Sequence, residues 1–273
     1  MTISGHTKVY GHLADPVEHV RTPGVFTRWF AAHGVDAVCI PLHVNAAGLA
    51  VFTRAMRDWQ NLVGFGITMP HKTAIVAHLD IIGPRAQAVG AVNVVRRNSD
   101  GGLEGESFDG VGFVAGLRAA SIEPGGRQTA VLGAGGAGRA VAFALAEAGA
   151  GELEIVNRTQ RTAVDLATDI AAIYPSTTVR AVEALSPEVE IVVNCTSLGL
   201  HPDDPLPIAE SELRADRVIA DIIMKPRATK LLRRAARRGA TVHYGLPMLE
   251  GQIGPTMDFL GITYDTPEEA TTP

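Results

Sequence analysis

Near the middle of the chain, Gly133-Ala134-Gly135-Gly136-Ala137-Gly138 has the spacing of a phosphate cradle. An apolar run, Thr129-Ala130-Val131-Leu132, precedes it, and a second one from Ala140 to Ala148 follows, so the stretch reads as strand, glycine turn and helix. In a βαβ unit such glycines let the backbone turn tightly and approach a pyrophosphate, whose charge is met by free N–H groups at the helix N-terminus. A further strand, Leu153-Glu154-Ile155-Val156, comes next, and its end decides the nucleotide. A carboxylate there would accept the adenine ribose 2′-OH of NAD. This chain has Asn157-Arg158-Thr159 instead. Arg158 can form charge-assisted hydrogen bonds to a 2′-phosphate and stack on adenine, with Arg139 and Arg161 expected to supplement the charge, so NADP is the expected cofactor.

The elements that must position these residues alternate from the start. Strands are expected over 9–13, 37–42 and 63–68, separated by helices over 22–32 and 46–58, with a further helix between Lys72 and Leu79. Thr22 reads as the N-cap of the first helix, with Pro23 at its first position. A helix over 84–89 leads through Gly90-Ala91-Val92-Asn93 to a hairpin turn at Ser99-Asp100-Gly101-Gly102, and a helix over 111–120 carries the chain to the glycine stretch. Beyond it, strands over 190–196, 217–221 and 240–244 complete a doubly wound domain. An amphipathic helix over 248–260 is expected to brace the first domain, and the polar residues from Asp265 are expected to fray.

Composition narrows the class. A chain of 273 residues with 46% hydrophobic and 19% charged residues has room for two domains, and no apolar run approaches the ~18 residues of a membrane span. Gly5, His6, Thr7 and Lys8 interrupt what a signal peptide would keep apolar, so a cytoplasmic location is expected. A net charge of −5 argues against a nucleic-acid partner, and Arg233, Arg234, Arg237 and Arg238 read as a solvated helix face. The two cysteines, Cys39 and Cys195, lie far apart in apolar segments and read as packing residues; no metal site is expected.

Several short stretches, in order, resemble the shikimate dehydrogenase family over most of the chain. They are Tyr10-Gly11 with Asp15-Pro16, Thr68-Met69-Pro70-His71-Lys72, Gly90-Ala91-Val92-Asn93, Asp109-Gly110-Val111-Gly112-Phe113, the glycine loop, Asn157-Arg158-Thr159, Asn194-Cys195-Thr196-Ser197-Leu198-Gly199, and Gly245-Leu246-Pro247-Met248-Leu249-Glu250-Gly251-Gln252. The resemblance implies an α/β fold with an N-terminal substrate-binding domain, residues 1–106 completed by 246–273, and a Rossmann-like NADP-binding domain, residues 107–245. It implies reversible oxidation of shikimate, or a related cyclic hydroxy-acid such as quinate, to the 3-dehydro ketone, by a monomer or homodimer. It puts Lys72 and Asp109 at the catalytic pair, Thr22, Thr68, Asn93 and Gln252 on the substrate, and Thr196, Ser197, Gly245 and Met248 with the glycine loop on the cofactor. The chemistry agrees: hydride passes between carbon and nicotinamide while a lysine held by an aspartate relays the hydroxyl proton.

The departures from the family pattern cluster in the substrate site. The Ser-x-Ser pair that binds the substrate carboxylate is Val20 and Thr22, the asparagine two residues before Thr68 is Gly66, the Asn-Thr-Asp triplet is Ser107-Phe108-Asp109, and the tyrosine three residues after Asp221 is Met224. A hydrogen bond to a charged group contributes ~1.5–3 kcal/mol, so losing two weakens shikimate use about a hundredfold or more. Arg21, between the altered positions, is a candidate replacement partner for the carboxylate. Two rivals stand beside this reading: an NAD-linked quinate/shikimate enzyme, against which Asn157-Arg158-Thr159 speaks, and a non-catalytic NADP-binding regulatory protein, against which the retention of Lys72 with Asp109 speaks.

Overall fold

The computed structural model describes residues 2–18 and 20–264; the tail from Asp265 lies outside the described residues. Its contacts divide the chain into two compact units, one ending at Phe108 and resuming at Ile253, the other spanning Asp109–Gln252.

The first unit contains β1 (Lys8–Ala14), α1 (Thr22–Ala32), β2 (Ala37–His43), α2 (Leu49–Asp58), β3 (Leu62–Ile67), β4 (Ile81–Ile82), α3 (Pro84–Val89), β5 (Val94–Arg97) and β6 (Leu103–Glu106). They form a mixed sheet in the order β2-β1-β3-β5-β6-β4, in which β1 runs parallel to β2 and β3 while β5 runs antiparallel to β3 and β6. Leu13, Phe65, Ile67, Ile75, Val95 and Leu103 make its core. Helix α1 buries Thr22, Phe26 and Phe30, one position per turn, and Phe26 stacks on Tyr10 of β1 with ring centroids 5.2 Å apart.

Three local expectations change here. Thr22 is not the cap: the helix begins at Thr22, Arg21 occupies the capping position without a side-chain bond, and the Thr22 hydroxyl lies 3.4 Å from His12 Nε2. The helix expected after Lys72 is a 3-10 turn over Ala74–His78, and the one expected over 46–58 opens with a 3-10 turn, Ala46–Gly48, capped by Asn45 Oδ1.

The second unit contains α4 (Asp109–Ala119), β7 (Gln128–Leu132), α5 (Gly136–Glu147), β8 (Glu152–Val156), α6 (Gln160–Ile173), β9 (Thr178–Ala181), β10 (Ile191–Asn194), β11 (Val218–Asp221), α7 (Lys230–Arg237), β12 (Thr241–His243) and α8 (Leu246–Gly251). Its sheet is wholly parallel, in the order β12-β11-β10-β7-β8-β9. The inner strands β10 and β11 are buried at every position, which is why each is apolar up to its last residue, Asn194 or Asp221. Helix α8 lies in backbone contact with α4: a Cβ on Gly112 would collide with the Met248 carbonyl oxygen. The helix expected over 248–260 is therefore two, α8 and α9 (Ile253–Leu260), with Gln252 between them; α9 packs on β5 in the first unit, where Arg96 donates to the Phe259 carbonyl at 2.9 Å.

Arg233, Arg234, Arg237 and Arg238 are exposed, and Arg234 and Arg238 pair with Glu210, while α7 buries Leu231, Leu232 and Ala235. Cys39 is buried and Cys195 half-buried, and burial pushes both thiols well above their ordinary range. No helix among the described residues is long and apolar enough to cross a membrane.

Candidate active site

In the second unit the strand order reverses between β7 and β10, which is where open parallel sheets hold their ligands. The glycine loop leaves β7 at this point. Gly133 takes φ +98°, donates its N–H to the Val156 carbonyl at 2.7 Å, and places its own carbonyl oxygen where a Cβ on Gly138 would have to sit. Only glycine fits at 138. Gly135 and Gly136 differ, because a Cβ on either would meet nothing within 4 Å. The protein leaves that room open in front of the α5 N-terminus, whose cap, Gly135, makes no side-chain bond to the first helical N–H groups. Open space beside unsatisfied N–H donors fits a dinucleotide pyrophosphate.

Asn157 ties this loop to the exit of β8. Its Oδ1 accepts from the Ala134 N–H at 3.2 Å and its Nδ2 donates to the Thr159 carbonyl at 3.0 Å. The next residue, Arg158, is exposed and has no hydrogen bond or ion pair among the described residues. The neighbouring cations are engaged: Arg139 pairs with Asp169 at 3.0 Å and Arg161 with Asp165 at 2.8 Å. Both arginines expected to supplement the charge thus carry ion pairs, whereas Arg158 carries none among the described residues.

Across the switch point, fully buried Asn194 accepts both the N–H and the hydroxyl of Thr196, at 3.1 and 2.7 Å, and donates to the Leu198 carbonyl. This fixes the turn bearing Thr196 and exposed Ser197, and brings Thr196 Cγ2 within 3.1 Å of a Cβ on Gly133. Gly245 opens α8 so close to β11's exit that a Cβ would lie 2.5 Å from the Ile222 carbonyl oxygen; Met248 is buried on the same helix. Asp221 accepts from the Ile223 N–H and the Thr229 hydroxyl, yet burial still raises its carboxyl above the usual range.

In the first unit Thr68 follows β3, its N–H bound to the Leu13 carbonyl at 3.0 Å. Buried His71 anchors the segment to the Val44 carbonyl at 2.7 Å, and the Lys72 carbonyl accepts from Val92, so half-buried Lys72 sits on a fixed backbone. Asn93 is buried and its Oδ1 accepts the Phe108 N–H at 2.7 Å, pinning the residue that precedes Asp109. Phe108 itself packs against Phe259. Asp109 is buried in the first turn of α4, where a carboxylate suits the helix dipole, and Gln252 is buried after α8. Thr22, Thr68, Lys72 and Asn93 therefore belong to the first unit, and Asp109 and Gln252 to the second. Arg21 stands apart, exposed and without an ion pair among the described residues.

Sequence reasoning missed His12. It is the register partner of Gly66 and lies beside Thr22. Its signal was a histidine inside an otherwise apolar strand, next to Tyr10-Gly11. Among the described residues no group of three or more His, Cys, Asp or Glu side chains is placed to hold a metal ion.

Two family models match the chain: the shikimate dehydrogenase substrate binding domain over residues 13–95, and shikimate / quinate 5-dehydrogenase over residues 119–222. The chain belongs to the shikimate dehydrogenase family. The shikimate dehydrogenase (NADP(+)) of Rubrobacter xylanophilus is 38% identical over 251 residues, covering 90% of this chain and 88% of that one. Among solved structures, the ligand-free 5-ketofructose reductase of a Gluconobacter species is 34% identical with a TM-score of 0.87, covering 96% of both chains. The shikimate 5-dehydrogenase of Thermus thermophilus, in complex with NADP(H) and shikimate, is 33% identical with a TM-score of 0.84 over 95% of each. Membership of the shikimate dehydrogenase family makes this chain an oxidoreductase acting on a CH–OH group.

Proposed function

We propose that the chain is an NADP-dependent dehydrogenase of the shikimate type, interconverting shikimate, or a related cyclic hydroxy-acid such as quinate, and its 3-dehydro ketone, with shikimate itself used weakly. The observation that carries the reading is the glycine loop, whose Gly135 and Gly136 leave open room before α5 while Arg158, at the β8 exit, is unpaired among the described residues. NADP, when bound, accepts or supplies the hydride. The N-terminal N–H groups of α5 hold its pyrophosphate, Arg158 its 2′-phosphate, and the Thr196-Ser197 turn, Gly245 and Met248 line the nicotinamide end. Lys72 moves the proton. In ketone reduction its ammonium donates to the forming alkoxide; in oxidation its amine accepts the hydroxyl proton. Asp109 is its carboxylate partner in that transfer. Thr22, Thr68, Asn93 and Gln252 are the substrate contacts, with Arg21 an outer cation for an acidic group.

The relatives named for NADP and for shikimate support this assignment, and the altered positions Val20, Gly66, Phe108 and Met224 support weak use of shikimate itself. The test is reduction of NADP and of NAD by the purified protein with shikimate, quinate and amino-substituted analogues side by side. Turnover with NADP is expected. A strong NAD preference would favour the NAD-linked reading, and tight NADPH binding with no turnover of any compound would favour a regulatory protein.

A further inference from the structure

His12 and Gly66 occupy one place between them. The two residues are register partners on the parallel strands β1 and β3, and a Cβ on Gly66 would lie 2.5 Å from His12 Nδ1 and 3.0 Å from Tyr10 Oη. Real Cβ atoms do not approach so closely, so a side chain at 66 and the imidazole in this position exclude one another. His12 is 8% exposed, and its other ring nitrogen, Nε2, lies 3.4 Å from the Thr22 hydroxyl. Imidazole thus bridges two positions assigned above to substrate, filling the space that a side chain on β3 would use and engaging the hydroxyl at the start of α1.

A buried carboxylate accepts only, and needs several donors to replace its water. Val20 and Gly66 have no side-chain donor, and the Thr22 hydroxyl already faces His12. Neutral imidazole instead presents one donor and one acceptor, the pattern that pairs with hydroxyl groups, which also do both. Arg21 is exposed, where water screens its charge.

Resting on the dehydrogenase reading above, we propose that His12 is the specificity-determining residue of the substrate site, and that it turns a site for a cyclic acid into one for an uncharged polyhydroxylated ketone. The ring hydrogen-bonds a substrate hydroxyl, and Gly66 exists to leave it room.

The test is NADPH oxidation by the full chain with three probes: 3-dehydroshikimate, its methyl ester, which replaces the charge by a methyl group, and 5-ketofructose, which has no carboxylate. The parent is expected to favour the uncharged probes over the acid by about tenfold or more in kcat/KM, as the loss of one hydrogen bond to a charged group implies. His12→Asn and His12→Gln should raise KM for the better uncharged probe about tenfold while kcat and NADPH affinity stay near the parent's. A triple variant, Val20→Ser with His12→Leu and Gly66→Asn, should reverse the preference toward 3-dehydroshikimate. NADPH titration confirms that each variant is folded. A parent that prefers the acid, or His12 variants with unchanged KM, overturns the inference and leaves the dehydrogenase reading standing. NADPH binding without reduction of any ketone overturns both.

Discussion

Replacing Arg158 by alanine isolates the nucleotide assignment. Arg158 is exposed at the end of β8, one residue after the Asn157 that fastens the glycine loop, and among the described residues it makes no ion pair. Its removal breaks no internal bond, so the fold should be untouched and the melting temperature unchanged. A hydrogen bond to a charged group contributes ~1.5–3 kcal/mol, and exposure to water places this one toward the lower end. At ~1.4 kcal/mol per factor of ten, the loss is about tenfold to thirtyfold in NADP affinity. No neighbour compensates, since Arg139 is held by Asp169 and Arg161 by Asp165. NAD lacks the 2′-phosphate and should bind the variant as it binds the parent. The assay is titration of NADPH and NADH fluorescence at two salt concentrations, the parent's NADPH affinity falling more steeply with salt. An equal loss for both nucleotides, or no loss for either, would refute the assignment.

The loop glycines should separate fold from ligand. Gly138→Ala forces a Cβ against the Gly133 carbonyl oxygen and should cost about 1–3 kcal/mol of stability, whereas Gly135→Ala, at an ordinary φ of −76° with open space before it, should leave the melting temperature unchanged or raised and still weaken NADPH binding. Arg217 is fully buried, with its guanidinium on Glu212 and on the Val189 and Ser186 carbonyls; Arg217→Ala should lower stability by about 3 kcal/mol in a denaturant titration, and Arg217→Lys should recover little because a point charge cannot span those acceptors. Burial on β12, edge-on to Phe113, holds the His243 imidazole below its ordinary value of 6.5. The unfolded chain therefore takes up a proton before the folded one as pH falls past about 6.5, so the stability present above that pH drains away on acidification, and His243→Gln should flatten the fall in melting temperature between about pH 7 and 5.

What could be read ahead of the structure was what neighbours in the chain impose on one another. The glycine stretch is such a case, because Gly133 and Gly138 constrain each other across five residues, and the runs 130–132, 191–193 and 218–220 of β7, β10 and β11 are apolar because both faces are covered. Pro84–Val89 begins with proline and stops at Gly90, which takes φ +72°, so both its ends are written locally. Contacts set by strand register escaped. Thr22 looked like a cap because nothing nearby reveals that β1 brings His12 to its hydroxyl. Gly66 looked like a lost asparagine until the pairing of β1 with β3 put an imidazole in its place. The Arg161–Asp165 pair lies one helical turn apart and was open to inspection, while Arg139–Asp169 joins two helices and was not.

In the proposed reaction Lys72 moves the proton as hydride passes between substrate and NADP. The most direct measurement is single-turnover oxidation of bound NADPH by the ketone the parent reduces fastest, comparing parent with Lys72→Met. General acid catalysis contributes about 10²- to 10⁴-fold, so the variant should lose that much rate while binding NADPH as tightly as the parent. A Lys72→Met protein that reduces the ketone at the parent's rate would contradict the account.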